Sequence, residues 1–228
     1  IYNNNKILLV GTGSGMSYSH LGPTHHSLED IGFLNNLPKI KIFSPADNND
    51  VKVHLEYCLK NENKNTAYIR LGKKNEPIIS KYKSKIDNLN YVIKNKSNIA
   101  IIFTGPLSEH LFEAQKKLEK INIKFDIINF HQIKPISKNM IRVLKNYRTI
   151  YTLEEHFPNT GIYSILSTKL CNEKVKVISV NNKEDFISEL GTRKFVQNKF
   201  GIDSKSLFKK ILNNKKKIGI DLDNTIIN

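Results

Sequence analysis

Short apolar runs that end in a turn and give way to a polar, helix-like stretch recur along this chain, and this alternation constrains its fold most. Lys6 to Val10 runs into the turn Gly11-Thr12-Gly13-Ser14-Gly15, Ile40 to Phe43 into Pro45-Ala46-Asp47, and Ala67 to Leu71 into Gly72. Apolar runs this short, bounded by turn signals, read as buried parallel strands. Between them, Ser27 with Asp30 three residues on reads as a capping box that opens a helix ending near Leu37-Pro38. Asp47 reads as the cap of a second helix, with Val51, Leu55 and Leu59 at helical spacing. Strands alternating with helices predict an α/β fold around a parallel sheet.

The pattern restarts after residues 78–97, a lysine-rich stretch read as a linker with some strand content. Strands are expected at Ile99 to Thr104, Ile123 to Phe130, Thr149 to Leu153 and Val175 to Val180. Helices are expected at Leu107 to Leu118, Asn139 to Leu144, Ile162 to Leu170 and near Asp185 to Leu190. The expectation is therefore two parallel-sheet βαβ domains, residues 1–77 and 98–200. Residues 201–217 form a closing helix, Ser204 to Leu212, and a linker, and 218–228 begin a further strand at Ile218 to Ile220.

Composition narrows the classes. Two cysteines in 228 residues, Cys58 and Cys171, cannot form a disulfide framework or a four-ligand zinc site, so a reducing, cytoplasmic setting is expected. No apolar run reaches the roughly 18 residues of a membrane helix, and no leader pattern is seen, so no membrane partner is expected. The first residue is Ile1, and the chain is read as a section of a longer polypeptide. Thirty-six Lys and Arg against 21 Asp and Glu give a formal charge of +15. These cations are scattered among Asn and Ile with no stripe, so no nucleic-acid partner is expected.

Two segments of the first domain invite chemistry. The glycine turn suggests a dinucleotide cradle, but Met16 stands where a third glycine belongs, and Pro23 intervenes before any helix. The stretch Ser19-His20-Leu21-Gly22-Pro23-Thr24-His25-His26 places three imidazoles in a rigid turn just before a helix. Such histidines can bind an anion, move protons or, less suitably here, hold a metal, and they can equally be loop residues bonded to backbone.

The same segment resembles the transketolase family. Gly-Pro-Thr-His followed by Glu29-Asp30, Leu37-Pro38 and Pro45-Ala46-Asp47 is similar to the pyrimidine-binding domain of transketolases and 1-deoxyxylulose-5-phosphate synthases. Ile101 to Gly105, Lys134-Pro135 and Thr152-Leu153-Glu154-Glu155-His156 resemble the transketolase C-terminal domain, and the likeness covers about residues 1–200. It implies thiamine diphosphate with Mg2+ as cofactors, held largely outside this chain, and transfer of a two-carbon ketol unit between sugar phosphates. It implies that His25 is the catalytic histidine and that Arg70 grips a substrate phosphate, while His26 and His20 either line the same channel or face solvent. It also implies an N-terminal transketolase section or subunit as partner, in a homodimer or heterotetramer. Alternatives within the resemblance are a 1-deoxyxylulose-5-phosphate synthase or 2-oxo acid dehydrogenase β-type section, or a non-catalytic partner-binding half.

The departures are specific. Leu21 stands before Gly22-Pro23, where the family usually carries an aspartate that contacts substrate hydroxyls. The family glutamate that protonates the aminopyrimidine is expected upstream of Ile1, so these residues alone are expected to be inert. Separately, Asp221-Leu222-Asp223-Asn224-Thr225 resembles the first motif of haloacid-dehalogenase-like phosphatases. There the first acid is the nucleophile, the second the acid/base, and Thr225 completes the motif.

Overall fold

A computed structural model describes residues 1–3, 5–60, 65–73, 76–79, 84–181 and 183–216. The expected strand at 218–220 and the motif carrying Asp221, Asp223 and Thr225 lie outside the described residues. In the first unit come β1 (Leu8–Thr12), α1 (Asp30–Asn35), β2 (Lys41–Phe43), α2 (Asn48–Leu59) and β3 (Ala67–Leu71). The second holds β4 (Asn90–Ile93), β5 (Ile99–Phe103), α3 (Ser108–Glu119), β6 (Asp126–Asn129), β7 (Gln132–Lys134) and α4 (Lys138–Leu144). It continues with β8 (Thr149–Leu153), α5 (Ile162–Lys169), β9 (Lys176–Ser179), α6 (Arg193–Phe200) and α7 (Ser204–Lys216).

The architecture is α/β with two mostly parallel sheets, ordered β1-β3-β2-β7 and β4-β6-β5-β8-β9. Each carries one antiparallel edge strand beside the expected parallel ones. β4 pairs antiparallel with β6, so the stretch read as linker contributes to the second sheet. β7 lies in the second half of the sequence yet pairs antiparallel with β2. The halves also share cores. Met16, Leu28 and Ala46 pack with Phe103, Leu111, Phe200 and Leu207, while Ile31, Ile42 and Tyr68 pack with Ile102, Ile128 and Ile150. Mixed cores and a shared sheet bind the two units into one body.

Local chemistry explains where elements begin. Asp47 does cap α2, accepting from the amides of Asn49 at 2.9 Å and Asp50 at 3.1 Å. Ser137 caps α4 through the Met140 amide at 3.1 Å. α1, by contrast, starts at Asp30 without a side-chain cap, because Ser27 is engaged in a two-way backbone bridge with Gly15.

The buried face of α2 also differs from the apolar periodicity. Asp50, Val53, His54 and Cys58 face inward, while Leu59 is 65% exposed. Polar groups can occupy that face because partners meet most of their polar atoms. Asp50 accepts from the Ala46 amide at 2.9 Å and the Asn129 side chain at 2.7 Å, and His54 meets His131 at 2.5 Å. No helix forms at residues 185–190, where the chain runs as an irregular strap before α6.

β1 stands apart. Among the described residues it pairs with β3 alone, and Leu9 and Val10, on opposite faces of the strand, are 42% and 49% exposed. Strands of parallel sheets are ordinarily covered on both faces.

Candidate active site

The histidine stretch is a closed loop built at the C-terminal end of β1. Gly15 donates to the Ser27 carbonyl at 3.0 Å and Ser27 donates back at 2.9 Å, so the bridge closes the loop from Met16 to His26 at its root. Gly15 has a φ of +59°, and a Cβ there would overlap the Glu155 carboxylate, so the root needs glycine twice over. Inside the loop, two short 3-10 turns, Ser19–Leu21 and Pro23–His25, hinge at Gly22.

The three histidines face different surroundings. His25 is exposed, its Nδ1 3.0 Å from the Thr24 hydroxyl. His20 is exposed and tilted against the Tyr18 ring at 6.3 Å. His26 is partly buried, and both of its ring nitrogens are shielded without a hydrogen-bond partner. Burial holds its pKa below the usual histidine value, against the opposing pull of the Glu155 and Glu29 charges. It is thus a neutral ring at neutral pH, with unused polar atoms beside its exposed neighbour.

Arg70 lies inside the fold. Its side chain is 1% exposed, and its guanidinium is directed into the protein. Nε donates to both oxygens of Asp30 at 2.8 and 3.0 Å, and Nη2 donates to the carbonyls of Ser27 at 2.6 Å and Glu155 at 2.9 Å. Asp30 also accepts the Tyr68 hydroxyl at 2.7 Å; burial pushes its pKa up, but the Arg70 charge and hydrogen bonds outweigh that and lower it. Arg70 ties α1, the loop root and β8 together rather than facing a substrate phosphate.

The cation presented at the end of β3 is Lys73, which in sequence is one lysine among many. It is exposed and sits 4.8 Å above the Tyr18 ring. Thr12, Asp47, Gly72, Lys73, Glu76 and Pro106 border a small open cleft of about 170 Å³ at the carboxyl ends of β1, β2 and β3. Open α/β sheets bind ligands at that end. Tyr18 links the cleft to the loop, because Lys73 and His20 both pack on it.

Glu154, Glu155 and His156 follow β8, and each anchors a different element. Glu154 accepts from the Ile162 and Tyr163 amides at 2.7 and 2.9 Å, at the start of α5, and burial pushes it up to about 7. Glu155 accepts from the Met16 amide at 3.1 Å and pairs with Arg193. His156 accepts the Gly32 amide on Nε2 at 3.4 Å and faces the Phe157 carbonyl with Nδ1 at 3.0 Å. Burial and the Arg70 charge push it down to about 4. Among the described residues no group of three or more His, Cys, Asp or Glu could hold a metal ion, and no helix is long and apolar enough to cross a membrane.

Two mostly parallel sheets, with a closed histidine loop at the carboxyl end of β1, place the chain in the class of two-domain α/β proteins. Residues 2–77 match the family model described as transketolase, pyrimidine binding domain, and residues 90–206 match transketolase, C-terminal domain; the chain belongs to the transketolase family. It is 27% identical over 214 residues to an apulose-4-phosphate transketolase subunit of Actinobacillus succinogenes, covering 90% of this chain and 67% of that protein. It is 26% identical to the 1-deoxy-D-xylulose-5-phosphate synthase of Lachnoclostridium phytofermentans, covering 83% of this chain but 31% of that protein.

Among solved structures, one described as a split gene transketolase, inactive beta4 tetramer, superposes with a TM-score of 0.80 at 22% identity, over 93% of this chain and 68% of that one. The transketolase of Campylobacter jejuni superposes with a TM-score of 0.68 at 18% identity, over 90% of this chain and 31% of that one. The chain thus spans about two thirds of the Actinobacillus protein and about a third of the synthase and of the Campylobacter transketolase.

Proposed function

We propose that this chain is the C-terminal section of a thiamine-diphosphate-dependent transketolase, active in an assembly with an N-terminal section that holds the diphosphate and Mg2+. The observation that carries the reading is the loop itself. It holds exposed His25 beside the shielded, unpartnered ring of His26, in a chain whose halves match the two transketolase domains in order. The unpartnered polar edge of His26 suits the polar edge of an aminopyrimidine. When bound, thiamine diphosphate supplies the nucleophilic carbon and the electron sink for ketol transfer. In this reading His25 holds or moves a proton at the reacting oxygens, with His26 and His20 beside it on the substrate channel. Lys73, not Arg70, is the cation for the sugar phosphate.

The partner surface is β1, whose edge, free among the described residues, and half-exposed Leu9 and Val10 suit an added strand and covering helices from the N-terminal section. Homodimeric and heterotetrameric assemblies both accommodate that contact. A cytoplasmic setting agrees with the free thiols of Cys58 and Cys171. One experiment tests the reading: the chain is combined with a diphosphate-binding section, thiamine diphosphate and Mg2+, and ketol transfer from a ketose phosphate is compared with turnover of pyruvate. Turnover of the ketose phosphate that is lost in His25→Ala is expected. Turnover of pyruvate alone would favour the synthase-type reading, and full activity of His25→Ala would refute the site.

A further inference from the structure

We infer that Glu155 and Arg193, both of the C-terminal domain, are positioning residues that clamp the histidine loop of the pyrimidine-binding domain. The inference rests on reading that loop as the reacting surface, and it gives the C-terminal domain a direct part in the chemistry.

Two contacts from the second domain converge on Met16 at the loop root. The Met16 side chain is fully buried among Phe103, Leu111, Phe200 and Leu207, so the first loop residue is plugged into the second domain's core. Its amide donates to Glu155 Oε2 at 3.1 Å. The Glu155 carboxylate, 2% exposed, in turn accepts Arg193 Nε at 2.9 Å, Nη2 at 2.7 Å and Gln197 Nε2 at 2.5 Å. Arg193 Nη1 reaches on to Glu76, beside the Lys73 cleft, at 2.9 Å. Further along the loop, the Ser19 hydroxyl donates to the Gly191 carbonyl at 2.9 Å, and Gly22 lies against Leu190.

A buried ion pair adds little net stability over an apolar pair of similar volume. What a bidentate pair adds is fixed direction, and here the direction is that of the Met16 amide. The chain offers an internal contrast. Lys194, next on α6, pairs with Glu109 and Glu113 at an exposed surface, where such pairs contribute little. Burial alone would raise the Glu155 pKa, yet Arg193 and the Met16 and Gln197 bonds hold it below the ordinary value, so the carboxylate stays charged.

Amide hydrogen exchange on the full chain tests the clamp directly. Glu155→Gln should speed exchange across residues 13–27 by at least ~10-fold while β5 and β8 keep their protection. Glu155→Asp, which keeps the charge, should restore most of the protection, and Glu109→Gln should alter neither region. In the assembled holoenzyme, Glu155→Gln should lower kcat about 10-fold with KM for the ketose phosphate within about 2-fold, as expected for lost alignment rather than lost binding. Unchanged loop exchange in Glu155→Gln, or an equal loosening of loop and core strands, overturns the clamp. Should that variant fail to fold, Arg193→Gln, which keeps the Met16 bond, is held to the same criteria. A loosened loop with unaltered kcat would leave the clamp standing and refute the loop as reacting surface.

Discussion

Replacing Arg70 by methionine separates a structural guanidinium from a substrate-binding one. Methionine fills much of the same volume but removes the partner of Asp30 and the donor to the Ser27 and Glu155 carbonyls. Breaking a buried pair by deleting one member costs about 3–5 kcal/mol. Asp30 is 14% exposed and keeps the Tyr68 hydroxyl, so the ion-pair share falls at about 3 kcal/mol. The Ser27 carbonyl keeps the Gly15 amide, so the Glu155 carbonyl alone of the two loses its donor and adds about 1 kcal/mol. A total of about 4 kcal/mol is a large part of a domain's stability.

The loss should also depend on pH. His156 Nε2 lies 3.8 Å from Asp30, and after burial, the Arg70 charge is the largest cause of its depressed pKa. Without Arg70 that pKa rises, and a protonated His156 replaces part of the lost pairing. The cost of Arg70→Met should therefore shrink as pH falls from about 7.5 to about 5.5, through the ordinary histidine range. Urea unfolding followed by far-UV circular dichroism suits a chain without tryptophan. A loss below about 1 kcal/mol, or a loss that grows on acidification, would refute this account of Arg70.

Three further outcomes are expected. Between about pH 7 and 5, His54 (pushed down to about 2), His131 and His156 stay neutral in the folded chain but take up protons when unfolded. Each favours the unfolded chain by about 1.4 kcal/mol per pH unit below 6.5. Glu154, raised to about 7, works the other way from there down to its unfolded value near 4.5. The histidines outnumber it, so the urea midpoint should fall on acidification, and a flat or rising midpoint would contradict the buried neutral rings. Gly15→Ala should cost about 1–2 kcal/mol from its positive φ alone and more from displacing Glu155, read as a lowered thermal midpoint. Charging the open strand with Leu9→Lys and Val10→Lys should leave the fold's circular dichroism intact and abolish association with the N-terminal section, checked by analytical ultracentrifugation.

The alternation of apolar runs with helix-like stretches marks most elements to within a few residues, with β3 and β8 at the expected bounds. What it misses is non-local. No periodicity announces that β7 crosses to the other sheet, or that the half-buried β4 joins the second one. The inner face of α2 is hidden because it buries Asp50 and His54, whose partners lie far along the chain. The site shows the same limit. The histidine turn is visible as residues, and Met16 is noticed only as a failed glycine, whereas its role as a plug requires the second domain. An arginine at a strand end looks like an anion ligand; whether Asp30 has already claimed it depends on α1, and Lys73 is indistinguishable from the surrounding lysines until the fold lifts it beside Tyr18.

The most direct test of the central claim is single-turnover ketol transfer by the chain reconstituted with an N-terminal diphosphate-binding section and thiamine diphosphate, comparing wild type with His25→Ala. Two-carbon transfer from a ketose phosphate that collapses in the variant, with cofactor affinity retained, is the predicted result. Equal transfer by both proteins would contradict the account.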